Sequence, residues 1–238
     1  MSPEYRQVAY GSRVIDFCVE RRDRKTLEIA VEPDLRVVIA APLKAPQKDI
    51  DAKVKKRAAW IIRQQTYFRQ FLPRTPDRQF IAGETHLYLG RQYRLKVRAG
   101  LVDNVRLFRG VIDVETVRPK TQEHVKGLVQ EWYRSRAKLK LQERLLANQD
   151  RFPFPDHFAP HALIVRKLSH RWGSMSPAGR LVLNTRLIEA PTDAIDYVIT
   201  HELCHIRQPN HGPAFFKLLC EVMPDWEARK AKLERVMA

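Results

Sequence analysis

The sequence predicts an α+β protein of two units, a β-rich N-terminal unit that carries one long helix and a C-terminal unit dominated by helices. In most of the first 117 residues, apolar side chains alternate with polar ones in short runs, as in half-buried strands. One stretch within this region has helical spacing instead. After Pro119 the helical spacing prevails. We therefore expect the boundary there, with units at residues 1–118 and 119–238.

The first strands of the N-terminal unit are predicted between residues 13 and 41. Apolar residues occupy alternate positions around Phe17, Ile29 and Val37. A Pro-Asp pair at positions 33 and 34 supplies a turn between the last two runs. These observations predict a β-hairpin over residues 26–40.

A long amphipathic helix is predicted from Gln47 to Leu72. Apolar residues from Ile50 onward recur at steps of three and four until Pro73 ends the pattern. Its polar side is strongly basic and bears Lys48, Lys53, Lys55, Lys56, Arg57, Arg63 and Arg69. Alternating runs resume between residues 80 and 117, separated by glycines, and predict further strands. No internal repeat is visible in the sequence.

The charge of the chain is strongly positive. Its 43 Lys and Arg residues face 27 Asp and Glu, which gives a formal net charge of +16. Such an excess favours polyanionic partners such as nucleic acid, nucleotides or an anionic membrane surface. Basic residues beside Trp60 and Tyr67 could bind phosphates and stack bases. The alternative is a helix that packs its aromatic rings inward and exposes its lysines to solvent.

Composition indicates an ordinary packed core, since 44% of the residues are hydrophobic. The N-terminal residues lack the pattern of a signal peptide, and the apolar runs are too short to cross a bilayer. We therefore expect a cytoplasmic protein without a membrane segment. Cys18, Cys204 and Cys220 have no metal-binding spacing and imply no disulfide framework.

The C-terminal unit is predicted to begin with a second long helix at about residues 125–148. Three prolines between residues 151 and 161 indicate an extended connection. Two strands follow, at Ile164–Leu168 and Arg180–Asn184, and they flank a loop that contains Gly173.

A third helix carries the most informative motif of the chain, His201-Glu202-x-x-His205. Positions i and i+4 of a helix lie on one face, so His201 and His205 can offer two imidazoles to one metal ion. The carboxylate of Glu202 lies beside them and could reach a water on the ion without binding the metal itself.

A catalytic zinc site usually has three protein ligands, so a third is required. His211 is the first candidate, because Pro209 should end the helix and allow the reversed chain to return a side chain to the ion. Glu221 is the alternative, since a carboxylate from a following helix completes some zinc sites.

The region from Lys167 to Trp226 resembles the YgjP-like family of zinc metallopeptidases, which is distantly similar to the SprT and WLM groups. The residues that carry the resemblance are Arg171-Trp172-Gly173-Ser174, Leu183-Asn184-x-Arg186-Leu187-Ile188, Ile195-Asp196-Tyr197-Val198, His201-Glu202-Leu203-Cys204-His205, and Pro209-Asn210-His211 followed by Phe215-Phe216. The N-terminal half also fits the layout of the family.

The resemblance implies a zincin-like catalytic unit in which His201, His205 and His211 bind zinc and Glu202 is the catalytic base. It also implies a peptide or protein substrate. The chain departs from the family at one point, because Met175 follows Trp-Gly-Ser where the family often has cysteine.

Two other functions compete with a peptidase. One is a metal-dependent pyrophosphohydrolase acting on a nucleoside triphosphate such as UTP, whose phosphates the basic surface would bind. The other is a non-catalytic nucleic-acid-binding module with a structural metal. A structural zinc normally has four protein ligands, so three histidines and an adjacent glutamate argue against the second.

Further site residues remain open in the sequence. The donor that would stabilise the oxyanion is not identified, and Tyr197, His170 and Arg171 are the candidates. Arg171, Trp172 and Asn184 are candidates for the wall of the substrate site, although Trp172 fits a core position better.

Overall fold

The computed structural model describes residues 4–32, 34–70, 78–117, 121–169 and 171–237. The chain folds as a mixed α+β protein, as predicted, and forms two compact units, Met1–Pro76 and Asp77–Met237. None of the described helices has the length and apolarity needed to cross a bilayer.

The first unit is a four-stranded sheet followed by one helix. Its strands are β1 Glu4–Tyr10, β2 Arg13–Arg22, β3 Glu28–Val31 and β4 Val37–Pro42, and its helix is α1 Gln47–Arg69. The strand order is β1-β2-β4-β3, with a parallel central pair and antiparallel outer pairs. Alternate residues of β2 and β4 pack against one stripe of α1, formed by Ile50, Val54, Ala58 and Ile61.

The second unit opens with the same arrangement. Its strands are β5 Thr85–Tyr88, β6 Arg91–Ala99, β7 Asn104–Phe108 and β8 Val111–Thr116, and its helix is α2 Gln122–Gln149. The order β5-β6-β8-β7 again has a parallel central pair between antiparallel pairs. The chain therefore contains two ββββα repeats.

The repeat extends to the strand register. Cys18 and Lys96 are each the sixth residue of their strands, and they lie opposite Val38 and Asp113. The repeat is therefore one of structure, although none is visible in the sequence. The copies share strand pairing and an apolar inner face. On the outer face the pair of Cys18 and Val38 in the first copy is apolar, and the corresponding pair of Lys96 and Asp113 in the second is charged. The alternation of the inner face is common to half-buried strands and does not by itself reveal a repeat.

The unit boundary also differs from the expected one, since it falls between residues 76 and 77 instead of 118 and 119. Strands β5–β8 belong with the following helices because specific bonds attach them. The backbone amides of Leu89 and Gly90 donate to the carbonyls of Ile188 and Glu189, at 2.8 and 3.0 Å. The hydroxyl of Tyr133 donates to the carbonyl of Leu87 at 2.6 Å.

The rest of the second unit comprises a three-stranded sheet and three helices. The strands are β9 Ala162–Arg166, β10 Gly173–Met175 and β11 Arg180–Asn184, and the helices are α3 Thr192–Cys204, α4 Pro213–Val222 and α5 Trp226–Met237. Strand β11 lies between β9, to which it is parallel, and β10, to which it is antiparallel. Short 3₁₀ helices occur at Pro155–Phe158 and Thr185–Glu189.

Most predicted elements are present with shifted ends. The β3–β4 hairpin and both long helices are confirmed, although α1 ends at Arg69 and the predicted stop at Leu72 and Pro73 lies outside the described residues. Strand β1 was not predicted. Residue Gly173, expected in a loop, begins strand β10.

Candidate metal centre

Helix α3 is buried on nearly all sides, which fixes the two histidines at its C-terminal end. Residues such as Ile195 and Ile199 are fully buried, and burial of each side chain stabilises the fold by about 1.5–3 kcal/mol. A charged residue, Asp196, is buried among them with only 4% of its surface exposed. The position of the helix therefore depends on apolar packing and on the partners of this carboxylate.

Asp196 is held mainly by helix α2. Arg144 donates to both of its carboxylate oxygens, at 2.7 and 2.8 Å, and Asn148 donates to one of them at 2.9 Å. The hydroxyl of Thr200 in turn donates to Asn148 at 3.2 Å. Arg229 of α5 contributes a longer ion pair at 3.7 Å. This network fixes α3 immediately before the turn that carries His201 and His205.

The helix ends one residue before the second histidine of the motif, earlier than the sequence suggests. His205 is the C-cap residue, and its amide bonds to Glu202 three residues back at 3.2 Å. Ile206 and Arg207 make the same type of tightened bond. These 3₁₀-type bonds turn the chain before Pro209.

The turn returns the chain to the end of α3 and places His211 beside the motif. Ligand atoms of His201, His205 and His211 all lie within 4.8 Å of one another. Among the described residues this group does not include Glu221, the alternative third ligand, which is exposed on α4. The ring of Phe215, fully buried, packs against all three imidazoles with centroid distances of 4.7–4.9 Å.

The protonation of the cluster suits a metal. Burial, together with the proximity of His205, His211 and Lys230, lowers the pKa of His201 to about 3. Burial, followed by His205 and Lys230, also lowers the pKa of His211 below its usual value. Both rings are therefore uncharged at neutral pH, which is the form that binds a metal ion.

Hydrogen bonds also orient the ring nitrogens. The Nδ1 of His205 lies 2.9 Å from the carbonyl oxygen of Gln208, so it must carry the proton and leaves Nε2 free as a ligand. The Nε2 atoms of His201 and His211 face each other at 2.9 Å. In a tetrahedral zinc site with bonds of 2.0–2.1 Å, two nitrogens are about 3.4 Å apart. The His201–His211 pair is therefore closer than in such a site, whereas the ligand atoms of the whole group span up to 4.8 Å, so the rings would shift to hold the ion.

Glu202 follows His201 on α3 and is 8% exposed. Burial raises the pKa of its carboxyl to about 7, although the backbone amide of Met175 and the charge of Arg171 oppose the increase. Its side chain packs directly on Gly173, where an added Cβ atom would lie 2.8 Å from Glu202 Cγ. Any larger residue at position 173 would displace the carboxylate.

Strand β10, which packs against Glu202, is an edge strand of its sheet. Trp172 O accepts from Asn184 N, and Ser176 N donates to Arg180 O, so the even-numbered residues bond to β11. Because alternate residues of an antiparallel edge strand point their backbone groups outward, Gly173 and Met175 face away from β11. The Met175 amide bonds to Glu202. The N–H and C=O groups of Gly173 lie on the outer edge.

The remaining candidates have different positions. Asn184 is buried and donates to the carbonyls of Leu168 and Arg171, so it anchors the chain before β10. Trp172 is half-buried against the core, as expected. Tyr197 is buried with its ring against His201, at 5.7 Å between centroids. His170 lies outside the described residues. Neither the anchoring role of Asn184 nor the strand at Gly173 was indicated by a sequence pattern.

Comparison with known proteins agrees with this geometry. No curated protein gives a significant match to the chain. A family model described as YgjP-like, metallopeptidase domain, matches residues 25–236, which include the second repeat, all the elements around the histidines and, from the first repeat, β3, β4 and α1 but not β1 and β2. The match confirms the resemblance found in the sequence and supports a metal-dependent hydrolase. The chain belongs to the YgjP-like metallopeptidase family.

Proposed function

We propose that the chain is a zincin-like, zinc-dependent peptidase in which His201, His205 and His211 hold the metal and Glu202 is the general base. The observation that carries this proposal is the convergence of three imidazoles next to a buried carboxylate. Three ligands leave one position for water or substrate, as in catalytic zinc sites. A structural role for the metal would require a fourth protein ligand.

Zinc in this site would lower the pKa of a water molecule towards neutrality and would polarise a substrate carbonyl. Glu202 accepts the proton of the attacking water and delivers it to the leaving amine. Gly173 leaves space for that carboxylate, and the Met175 amide orients it. The burial of Glu202 excludes bulk water that would compete for the proton.

The position of β10 at the edge of its sheet favours a peptide as the substrate. An extended peptide can add to a sheet edge through main-chain hydrogen bonds. The N–H and C=O groups of Gly173 point away from β11, and because Gly173 is buried, a peptide would have to displace the groups that cover it. A nucleoside triphosphate has no peptide backbone that could pair with a strand edge, although the positive charge of the chain would attract its phosphates. A cytoplasmic location stays a prediction.

Metal content and hydrolysis, measured together, test the proposal. The purified protein and its Glu202→Gln variant are loaded with zinc, quantified by mass spectrometry, and assayed on unfolded casein and on nucleoside triphosphates. We expect both proteins to bind one zinc ion and the variant to lose casein cleavage by about 10²–10⁴-fold. His211→Ala should lower the zinc content. Phosphate or pyrophosphate release that depends on Glu202 would favour the nucleotide activity, and absence of bound metal would refute the site.

A second variant tests the role of β10 without changing a charge or a ligand. Gly173→Ala should retain zinc and lose most peptidase activity, because its Cβ atom would displace the Glu202 side chain. Gly127→Ala on α2 is the matched control, since nothing lies within 4 Å of its Cβ position. Equal activity of the two variants would contradict the placement of Glu202.

A further inference from the structure

The first unit has a groove between helix α1 and the edge strand β3. The groove has a volume of about 270 Å³ and is lined by Leu27, Ile29, Lys53, Arg57 and Trp60. The last three lie on one face of α1, since they are four and three residues apart. Two cations and an indole therefore border one depression in the surface of this unit.

The cations of α1 have no acidic partners within the part of the chain that the structure describes. The helix bears seven basic residues, all exposed: Lys48, Lys53, Lys55, Lys56, Arg57, Arg63 and Arg69. None of them forms an ion pair or a cation–π contact with a described residue, whereas exposed arginines elsewhere, such as Arg36 and Arg134, do form ion pairs. The helix has seven basic residues against two acidic ones, Asp49 and Asp51, and this excess of positive charge attracts polyanions.

Trp60 packs against the core of the first unit on one side but differs from the other tryptophans in its ring contacts. The rings of Trp132, Trp172 and Trp226 each contact another aromatic ring or an arginine. The half-buried ring of Trp60 makes no such contact with any described residue. An indole that borders an open groove between Lys53 and Arg57 is suited to stack a planar group that carries negative charge nearby.

We propose that this groove and the basic face of α1 bind single-stranded nucleic acid, with phosphates on the cations and a base stacked on Trp60. Single strands combine a charged backbone with unpaired bases, the two features that such a surface recognises. The bases of a duplex stack on one another and are not available to the indole. This inference concerns the first unit and does not depend on the hydrolase activity.

Other polyanions match the surface less well. To enter a membrane, α1 would need exposed apolar residues, but its stripe of Ile50, Val54, Ala58 and Ile61 is fully buried against the sheet. An acidic protein could pair with Lys53 and Arg57, but it would leave the indole of Trp60 beside them without a role. The combination of cations with an indole in one groove therefore favours nucleic acid as the partner.

The test measures the affinity of the protein for a fluorescein-labelled 20-mer of deoxythymidylate. Binding is detected by fluorescence anisotropy at NaCl concentrations between 50 and 300 mM. EDTA is present, and Glu202→Gln is measured in parallel, so that binding is separated from hydrolysis. If about four cations contact phosphates, the logarithm of the affinity should fall with the logarithm of the salt concentration with a slope of about −3. Glu202→Gln should bind as the wild type does.

Two kinds of variant separate charge from stacking. The double variant Lys53→Gln with Arg57→Gln should make the slope less steep by about 1.4, because two phosphate contacts are lost. Trp60→Ala should weaken binding about tenfold or more with the slope unchanged, and Trp60→Tyr, which retains a stacking ring, should recover most of the loss. The charge-matched control is Arg134→Gln with Lys140→Gln on α2, where both cations have acidic partners.

Several results would overturn the proposal. One is an equal loss of salt dependence in the α2 control, which would indicate a non-specific effect of net charge. Another is equal affinity for a 20-base-pair duplex together with no effect of Trp60→Ala. A third is binding to phosphatidylserine vesicles at salt concentrations where the oligonucleotide does not bind, which would identify a membrane surface as the partner.

Discussion

The two ββββα repeats have the same strand order and register but use their helices in different ways. On α2, five of the six basic residues contact an acidic or aromatic side chain, namely Lys126, Arg134, Arg136, Lys140 and Arg144. On α1, none of the seven does so within the described residues. Since the backbone arrangement is shared, the contrast arises from the side chains of the two helices and from the elements packed against α2, such as α3, whose Asp196 pairs with Arg144.

The contrast shows how one architecture can support two tasks. In the second repeat, Arg144 holds Asp196 of the metal-binding helix, and the turn at Leu89 and Gly90 bonds to the segment before that helix. This repeat is therefore part of the framework that positions the histidines. In the first repeat, the corresponding helix presents charges that no described residue neutralises. We interpret it as a surface that is kept for a partner.

The largest expected effect comes from breaking the link between α2 and α3. Asp196→Ala leaves the guanidinium of Arg144 partly buried without its carboxylate, and loss of one member of a buried ion pair costs about 3–5 kcal/mol. The free energy of unfolding, measured by urea denaturation, should fall by this amount. Zinc affinity should fall as well, because the network precedes the metal-binding turn.

The control for this variant is Glu131→Gln, which removes an exposed ion pair of the same helix. Exposed pairs contribute about 0–1 kcal/mol. If Asp196→Ala destabilises the protein no more than this control, α2 is not the support of the metal-binding helix and the comparison fails.

The hairpin turns of the two repeats provide a matched pair of smaller effect. Gly11 and Gly90 both have positive φ, so alanine at either position should cost about 1–2 kcal/mol. An added Cβ atom at Gly11 meets nothing within 4 Å, whereas at Gly90 it lies 2.8 Å from the Cα atom of Pro191. Overpacking should add about 1–3 kcal/mol at Gly90 alone.

Thermal unfolding of the two alanine variants measures this difference directly. Gly90→Ala should unfold at the lower temperature and should also bind zinc less tightly, since Pro191 precedes α3. Equal melting temperatures would show that the turn of the second repeat does not hold the segment before the metal-binding helix.

The sequence predicts part of this arrangement, and the reasons for success and failure are physical. His201 and His205 were predictable because helical spacing alone places them on one face, and Pro209 indicated the turn that returns His211. Strand β10 was not predictable, since three residues that include Gly173 show no alternation. The edge strand exists because β11 supplies bonding partners, and these are long-range contacts.

The repeat escaped detection for a related reason. A parallel central pair with two antiparallel neighbours is a property of strand pairing, and pairing is not encoded at any single position. The inner faces alternate in both copies, but many unrelated sheets share this alternation. The unit boundary was misplaced for the same reason, because the bonds from Leu89 and Gly90 to residues 188 and 189 join parts of the chain that are distant in sequence.

The smallest expected effect tests the charge contrast itself. Removal of one charge should shift the melting temperature in opposite directions on α1 and on α2. Arg57→Gln removes a positive charge one turn from Lys53, and like charges at this spacing destabilise a helix by about 0.2–0.5 kcal/mol. The variant should therefore melt slightly higher, by about 1 °C. Glu131→Gln breaks the pair with Arg134 on α2 and should melt lower by a similar amount. Both shifts, measured by scanning calorimetry in 50 mM NaCl, should disappear in 1 M NaCl, where charges are screened within about 3 Å. If both melting temperatures shift in the same direction, the cations of α1 are already neutralised. The basic face of α1 would then give no reason to expect a polyanionic partner.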